Sequence, residues 1–337
     1  MLHFSFFPIG LLLIIAIFID FFYTTLSGNG SGFLTKYFNN LLSKIILGLN
    51  WKWLRKISGF IHVTATLNLW LIILLVGCLF IFSSNEPMVV NSTTNQPATF
   101  LDRFYYTCYI LSTVGIGDYK PNTNFGRVVT GLLSFTGFIL LTTALAYVIS
   151  VTGAVSNKRN LAVTISSMGK NPKELYAYFT QEENFQLLFD VLPDMRELLS
   201  SFTHNYLSFP MIENYLTNKK TNSESLQIVN LYEVLRIIFC QADKTQKIKF
   251  LPLIRSLAYF MEIHMKNKKK NTRFKEEEVN ELRLKYWLPI FEKEQVNVTT
   301  IQLENIKLEN MDSLLASSGW IWTDIYDLDD EKSRLYD

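Results

Sequence analysis

The sequence predicts an all-α membrane protein: spanning helices with a short helix dipping between two of them, then a helical water-soluble domain. Three observations predict this. Charge is unevenly spread over the 337 residues, with 8 Lys/Arg and 4 Asp/Glu in residues 1–157 against 24 and 26 in residues 158–337. The oily half holds three stretches of the about 20 apolar residues that a span requires. Between the second and third lies a run, TFLDRFYYTCYIL, that is too apolar for an ordinary loop and too short to span. The net charge of +2 averages two unlike halves and gives no support to a nucleic-acid partner. Cys78, Cys108 and Cys240 form no disulfide framework, and no pair has metal-ligand spacing.

The first span runs from Phe4 to Leu26 and is interrupted only by Asp20. MLHFSFF lacks a basic residue and no small-x-small site follows the oily run, so this span is expected to be retained rather than cleaved as a signal peptide. Residues 1–56 then form a first region, an N-terminal span with a basic loop. That loop carries Lys36, Lys44, Lys52, Arg55 and Lys56 and no acid, which places it in the cytoplasm and the N-terminus outside. Leu41, Ile45 and Leu49 repeat at helical spacing near Trp51 and Trp53. Such a stretch either lies in the headgroup layer or packs on the protein's own underside. Asp20 falls close to the cytoplasmic end of its span, where interfacial water or a lysine is its expected partner.

Residues 57–157 form the second region. An uncharged outer helix spans 57–82, a loop over Ser83–Thr99 faces out, and an inner helix spans 126–157, apolar from Val128 to Asn157. Between them Thr99 caps a helix over 99–111, with Asp102 in the capping-box position. STVGIGDY follows at 112–119, then Lys120-Pro121-Asn122 turns the chain outward. Non-helical backbone at this depth is tolerated only where it is buried in protein or lines an aqueous path. Alternating Gly115 and Gly117 permit angles that aim successive carbonyls one way, and Thr113 adds a hydroxyl. Four copies around an axis would stack rings of oxygens that replace a cation's hydration shell, so the arrangement requires a homotetramer.

Thr113-Val114-Gly115-Ile116-Gly117-Asp118 resembles TVGYGD, the selectivity-filter signature of tetrameric potassium channels. Tyr105 and Tyr106 match the family's aromatic pair on the pore helix, and Pro121, Gly126 and Arg127 match without gaps. Gly137, 22 residues after Gly115, matches the hinge glycine of the inner helix. The likeness extends over about residues 57–155. It implies K⁺ held by the carbonyls of Thr113, Val114, Gly115 and Ile116, with Gly117 completing the strand (filter 112–118). Tyr105, Tyr106, Tyr109 and Asp118 are implied as supports. No cofactor beyond K⁺ is implied.

Two departures bear on this resemblance. Ile116 replaces the usual aromatic, keeping the carbonyl and the apolar packing but losing a phenol hydrogen bond worth about 1 kcal/mol per subunit. Some two-pore-domain channels resemble the chain in carrying an aliphatic residue there. Tyr109 occupies a position where some bacterial members have a Glu paired with the Asp after the filter. Tyr105 or Tyr109 is then the expected donor to Asp118.

In the inner helix, Gly131 and Gly153 are expected to serve close helix packing and Gly137 to act as a hinge, with four helices converging near Tyr147–Ser156 as a gate. The third region, 158–337, is expected to be an α-helical cytoplasmic domain. Beyond Gly153 only Gly169 and Gly319 occur, too few for the Gly-rich turn of a dinucleotide-binding regulator. Asn171-Pro172 with Glu174 opens a helix. Apolar stripes follow at Ile228, Leu231, Leu235 and Ile238; at Ile254, Leu257 and Met261; and at Val279, Leu282 and Tyr286. The basic-to-acidic stretch 266–278 reads as an exposed linker, and Trp320 and Trp322 as a clip onto the domain or a neighbouring subunit. His204 and His264 lack metal-spaced partners, and no catalytic constellation is present.

The expectation is therefore a multi-pass plasma-membrane K⁺ channel with an inner-helix gate under control of the cytoplasmic domain, and not an enzyme. A non-selective Na⁺/K⁺ channel is the near alternative, and a membrane-tethered sensor with a vestigial pore a further one. A potassium-transporter subunit fits less well, because such chains carry four pore loops and this has one. Neither a gating ligand nor a partner protein is specified by the sequence.

Overall fold

The computed structural model describes residues 6–49, 51–267, 274–291, 303 and 306–326. Most of the basic block within 266–278 and the first residues of the N-terminal span lie outside them. Among the described residues the chain is all-α apart from one two-stranded sheet, and three helices are long and apolar enough to cross a membrane. The chain divides into two compact units, one of Met1–Trp51, Ser58–Thr152 and Ser208–Met211, the other of Lys52–Ile57, Gly153–Leu207 and Ile212–Asp337.

The first unit opens with α1 (Phe6–Leu26) and α2 (Phe33–Leu49). The outer helix α3 (Lys52–Ser83) begins five residues earlier than expected, and its first turns belong to the second unit. Strand β1 (Val89–Asn91) pairs antiparallel with β2 (Tyr119–Pro121), on either side of α4 (Phe100–Leu111). The inner helix α5 (Asn124–Met168) runs 45 residues without a break, well past the expected end at 157. Cys78, Phe82, Val89, Tyr106, Tyr109 and Leu133 share one core, so α3, α4, α5 and β1 pack on each other. α1 joins them where Gly10 meets Gly77: a methyl group at Gly10 would lie 2.6 Å from the Gly77 carbonyl.

Asp20 departs from expectation. It is 4 % exposed, and its carboxylate accepts hydrogen bonds from the amides of Leu34 (2.7 Å) and Thr35 (3.2 Å), the Thr35 hydroxyl (2.5 Å) and the Trp70 indole (3.3 Å). The first turn of α2 has unpaired amides, and a carboxylate is their best acceptor. Asp20 is therefore the cap of α2, its carboxylate engaged by backbone amides, the Thr35 hydroxyl and the Trp70 indole rather than by a lysine.

The second unit adds α6 (Pro172–Phe179), α7 (Gln186–Ser208), α8 (Glu224–Gln241), α9 (Lys244–Asn267), α10 (Glu276–Phe291), α11 (Leu308–Ser318) and α12 (Trp322–Tyr326). Asn171 caps α6 through the Glu174 amide, 3.0 Å away. The stripe on α8 is wider than expected, since Glu224–Ile238 is buried on every side, including Gln227, Asn230, Glu233 and Arg236. Glu233 is held by Arg283 (2.5 Å), Arg236 (3.1 Å) and the Tyr326 hydroxyl (2.8 Å). A buried helix with charges survives only where those charges pair. Trp322 clips onto its own domain, its indole donating to Asp312 at 3.1 Å. His264 is buried with Nδ1 3.0 Å from the Tyr206 hydroxyl, which also donates to Glu213.

Candidate functional site

The site is built on α4. The Thr99 amide and hydroxyl meet the Asp102 carboxylate at 2.9 and 2.6 Å, and the Asp102 amide returns to Thr99, which fixes the helix start. At the other end the chain leaves the helix still tied to its last turn. Ser112 donates to the Cys108 carbonyl, Thr113 to Ile110 and Val114 to Tyr109, at 3.0–3.1 Å. The α4 C-terminus, with its partial negative charge, thus abuts Thr113, where it favours a cation.

Beyond Thr113 the backbone alternates in hand. Thr113 has φ 60°, Gly115 62° and Gly117 89°, while Val114 and Ile116 between them keep negative φ. Alternation of left- and right-handed residues turns successive carbonyls to one side and side chains to the other. Gly115 needs glycine for this angle and not for space, since an added methyl would meet nothing within 4 Å. Thr113 adopts the same region despite its β-branch, a strained conformation of the kind found at ligand sites. Nothing in the sequence signals that third left-handed residue except its register two before Gly115.

Val114 and Ile116 are 67 % and 55 % exposed, so α4 does not cover them. The packing expected for Ile116 is absent within one chain.

The far end is pinned from three sides. The Asp118 carbonyl accepts from the Ser92 amide (2.8 Å) and hydroxyl (2.9 Å), the β1–β2 pairing holds Tyr119–Pro121, and the Tyr109 hydroxyl donates to the Tyr119 carbonyl at 2.5 Å. Tyr109 therefore grips the backbone at Tyr119, while Tyr105 interacts with the Asp118 side chain. Tyr105, Tyr109 and Tyr119 stack edge to face, with ring centres 5.3 and 6.2 Å from Tyr105. Tyr106 points elsewhere: its ring packs on Phe82 at 4.9 Å and its hydroxyl lies 2.7 Å from the Thr130 hydroxyl on α5. The tyrosine pair is thus split between the strand and the helices behind it.

Among Gly131, Gly137 and Gly153 of α5, Gly137 is the one in close contact. A methyl group there would lie 2.2 Å from the Leu111 carbonyl oxygen, whereas Gly131 and Gly153 have no neighbour within 4 Å in the chain. The helix runs unbroken through Gly137. Val128, Leu132, Phe135, Phe138, Leu141 and Leu145 leave a long apolar row on α5 exposed. No cluster of His, Cys, Asp or Glu suited to a metal occurs among the described residues.

With this geometry in place, residues 69–153 match the family described as "Ion channel", a two-span pore domain of the potassium-channel type. The chain is also 29 % identical over 239 residues to the uncharacterized membrane protein YdjJ of Bacillus subtilis (strain 168), covering 68 % of each. No solved structure matches.

Proposed function

We propose that the chain, whose residues 69–153 carry an ion-channel pore segment, works as a homotetrameric K⁺-selective channel of the plasma membrane. The observation that carries this reading is the alternating backbone of Thr113, Gly115 and Gly117, at the negative end of a helix and between two spans. A row of carbonyls on one strand cannot surround an ion. The uncovered Val114, Ile116 and outer face of α5 are the surfaces that neighbouring subunits would cover. In the tetramer K⁺ passes rings formed by Thr113, Val114, Gly115 and Ile116 and travels passively down its gradient. The acid-free loop 27–56 supports an orientation with the N-terminus outside and the helical domain in the cytoplasm. That domain, joined directly to the inner helix, controls a gate formed by the Tyr147–Ser156 region. No chemical step is involved.

A non-selective cation channel of the same build is the second reading, favoured by Ile116, which offers no phenol to brace the strand. Flux into liposomes separates the two: K⁺ uptake well above Na⁺ uptake supports selectivity, and equal uptake supports the second reading. Gly115→Asp is the control, since flux indifferent to it does not pass this strand.

A further inference from the structure

Helix α2 exposes an apolar row that a helix in water would bury. Asn39 and Ser43 face the protein: Asn39 Nδ2 donates to the Thr66 hydroxyl at 3.0 Å, Asn39 Oδ1 lies 2.7 Å from His62 Nδ1, and Ser43 lies 3.4 Å from His62 Nε2. With Thr35 held by Asp20, these contacts fix α2 against both α1 and α3, the two spans it joins. Of its apolar residues Ile46 is buried and Leu34, Phe38 and Leu42 are half-buried, but one row faces outward. Phe33 (82 % exposed), Tyr37, Leu41, Ile45 and Leu49 repeat every fourth position, and Trp51 beyond the helix is also exposed. Lys36, Asn40 and Lys44 flank that row, exposed.

We infer that α2 lies in the headgroup layer of the leaflet at which α1 ends, its apolar row in the acyl boundary and Lys36 and Lys44 on anionic phospholipid headgroups. Three observations choose this occupant. The helix is fixed by its polar side to two spans, so its free side stands at the depth where hydrocarbon gives way to water. An exposed face of this size and composition is unfavourable in water and favourable at that boundary. The charge is of one sign: between Asp20 and Glu86 there is no acid, and Asp20 is occupied by the amides of α2. Uncompensated lysines beside an apolar row select a negative surface. The inference requires only that α1 and α3 span a bilayer, and stands whether or not the pore conducts.

The test uses the full chain with Cys108 and Cys240 replaced by serine; Cys78 is fully buried and stays. Spin labels are placed singly at Ile45→Cys and Lys44→Cys, in vesicles of phosphatidylcholine with or without phosphatidylglycerol. The label at 45 should collide with oxygen more than with a water-soluble nickel chelate, and the label at 44 should show the reverse. Phosphatidylglycerol should deepen the label at 45, and Lys36→Gln with Lys44→Gln should abolish that shift. A label at 45 open to the chelate overturns the inference, as does one shielded from both reagents, which would mean a second copy covers the row. Depth indifferent to phosphatidylglycerol overturns the choice of anionic lipid.

Discussion

Gly137 of α5 touches Leu111 at the end of α4 so closely that a methyl group at 137 would stand 2.2 Å from the Leu111 carbonyl oxygen. The contact sets how near α5 lies to the strand that follows α4. Because the obstacle is backbone, it cannot rotate aside. Gly137→Ala should cost about 1–3 kcal/mol through overpacking and lower the thermal midpoint of the full chain. Gly131→Ala, with open space around it, should leave the midpoint unchanged or raised. Equal behaviour of the two would show that the contact carries no load.

Asp20 should behave as a structural cap. Asp20→Ala strands the Leu34 and Thr35 amides, each buried donor costing about 1–3 kcal/mol. The expected result is faster amide exchange over the first turns of α2 and a loss of folded protein. Asp20→Asn, which keeps an acceptor oxygen, should lose less.

Acid should weaken the second unit through Glu233. Burial alone would raise this carboxyl, but Arg236 and Arg283 outweigh it and hold it down at about 2. Its folded value lies below its unfolded one, so its contribution is complete above the ordinary carboxylate value, 4.5, and is lost as pH falls from there toward about 2. The melting temperature should therefore drop between those pH values. Glu233→Gln should flatten that drop while lowering stability at neutral pH, because Arg236 and Arg283 are left buried without their anion.

Lys158 on α5 is buried, and its ammonium donates to the Ile212 and Tyr215 carbonyls and pairs with Glu224, each at 3.0 Å. Removing it by Lys158→Met should cost about 3–5 kcal/mol by leaving Glu224 an uncompensated charge. Adding Glu224→Gln should recover part of that loss, and a double-mutant cycle on chemical unfolding measures the coupling. A cycle that closes to zero would remove Lys158 as the tie between the end of α5 and α8.

The spans and the all-α class were legible because hydropathy over about 20 residues needs no knowledge of packing. The Thr99–Asp102 box was legible for a similar reason, being local in sequence. What was not legible depends on contacts distant along the chain. Asp20 reads as an isolated acid until α2 folds back 15 residues later to use it. Tyr109 and Tyr105 are both placed to reach Asp118, and only the β1–β2 pairing decides which hydroxyl takes the Tyr119 carbonyl instead. Among the inner-helix glycines, only the fold distinguishes Gly137, which has a neighbour, from Gly131 and Gly153, which have none in the chain. The left-handed Thr113 was hidden because a β-branched residue disfavours that conformation.

In the proposed channel the alternating strand from Thr113 to Gly117 forms a K⁺-selective path. Its most direct test is the reversal potential of single channels from the purified chain in a planar bilayer, with K⁺ on one side and Na⁺ on the other. A reversal potential displaced far toward the K⁺ equilibrium value, with currents abolished by Gly115→Asp, is the predicted result. Reversal near zero, or currents that persist in Gly115→Asp, would contradict it.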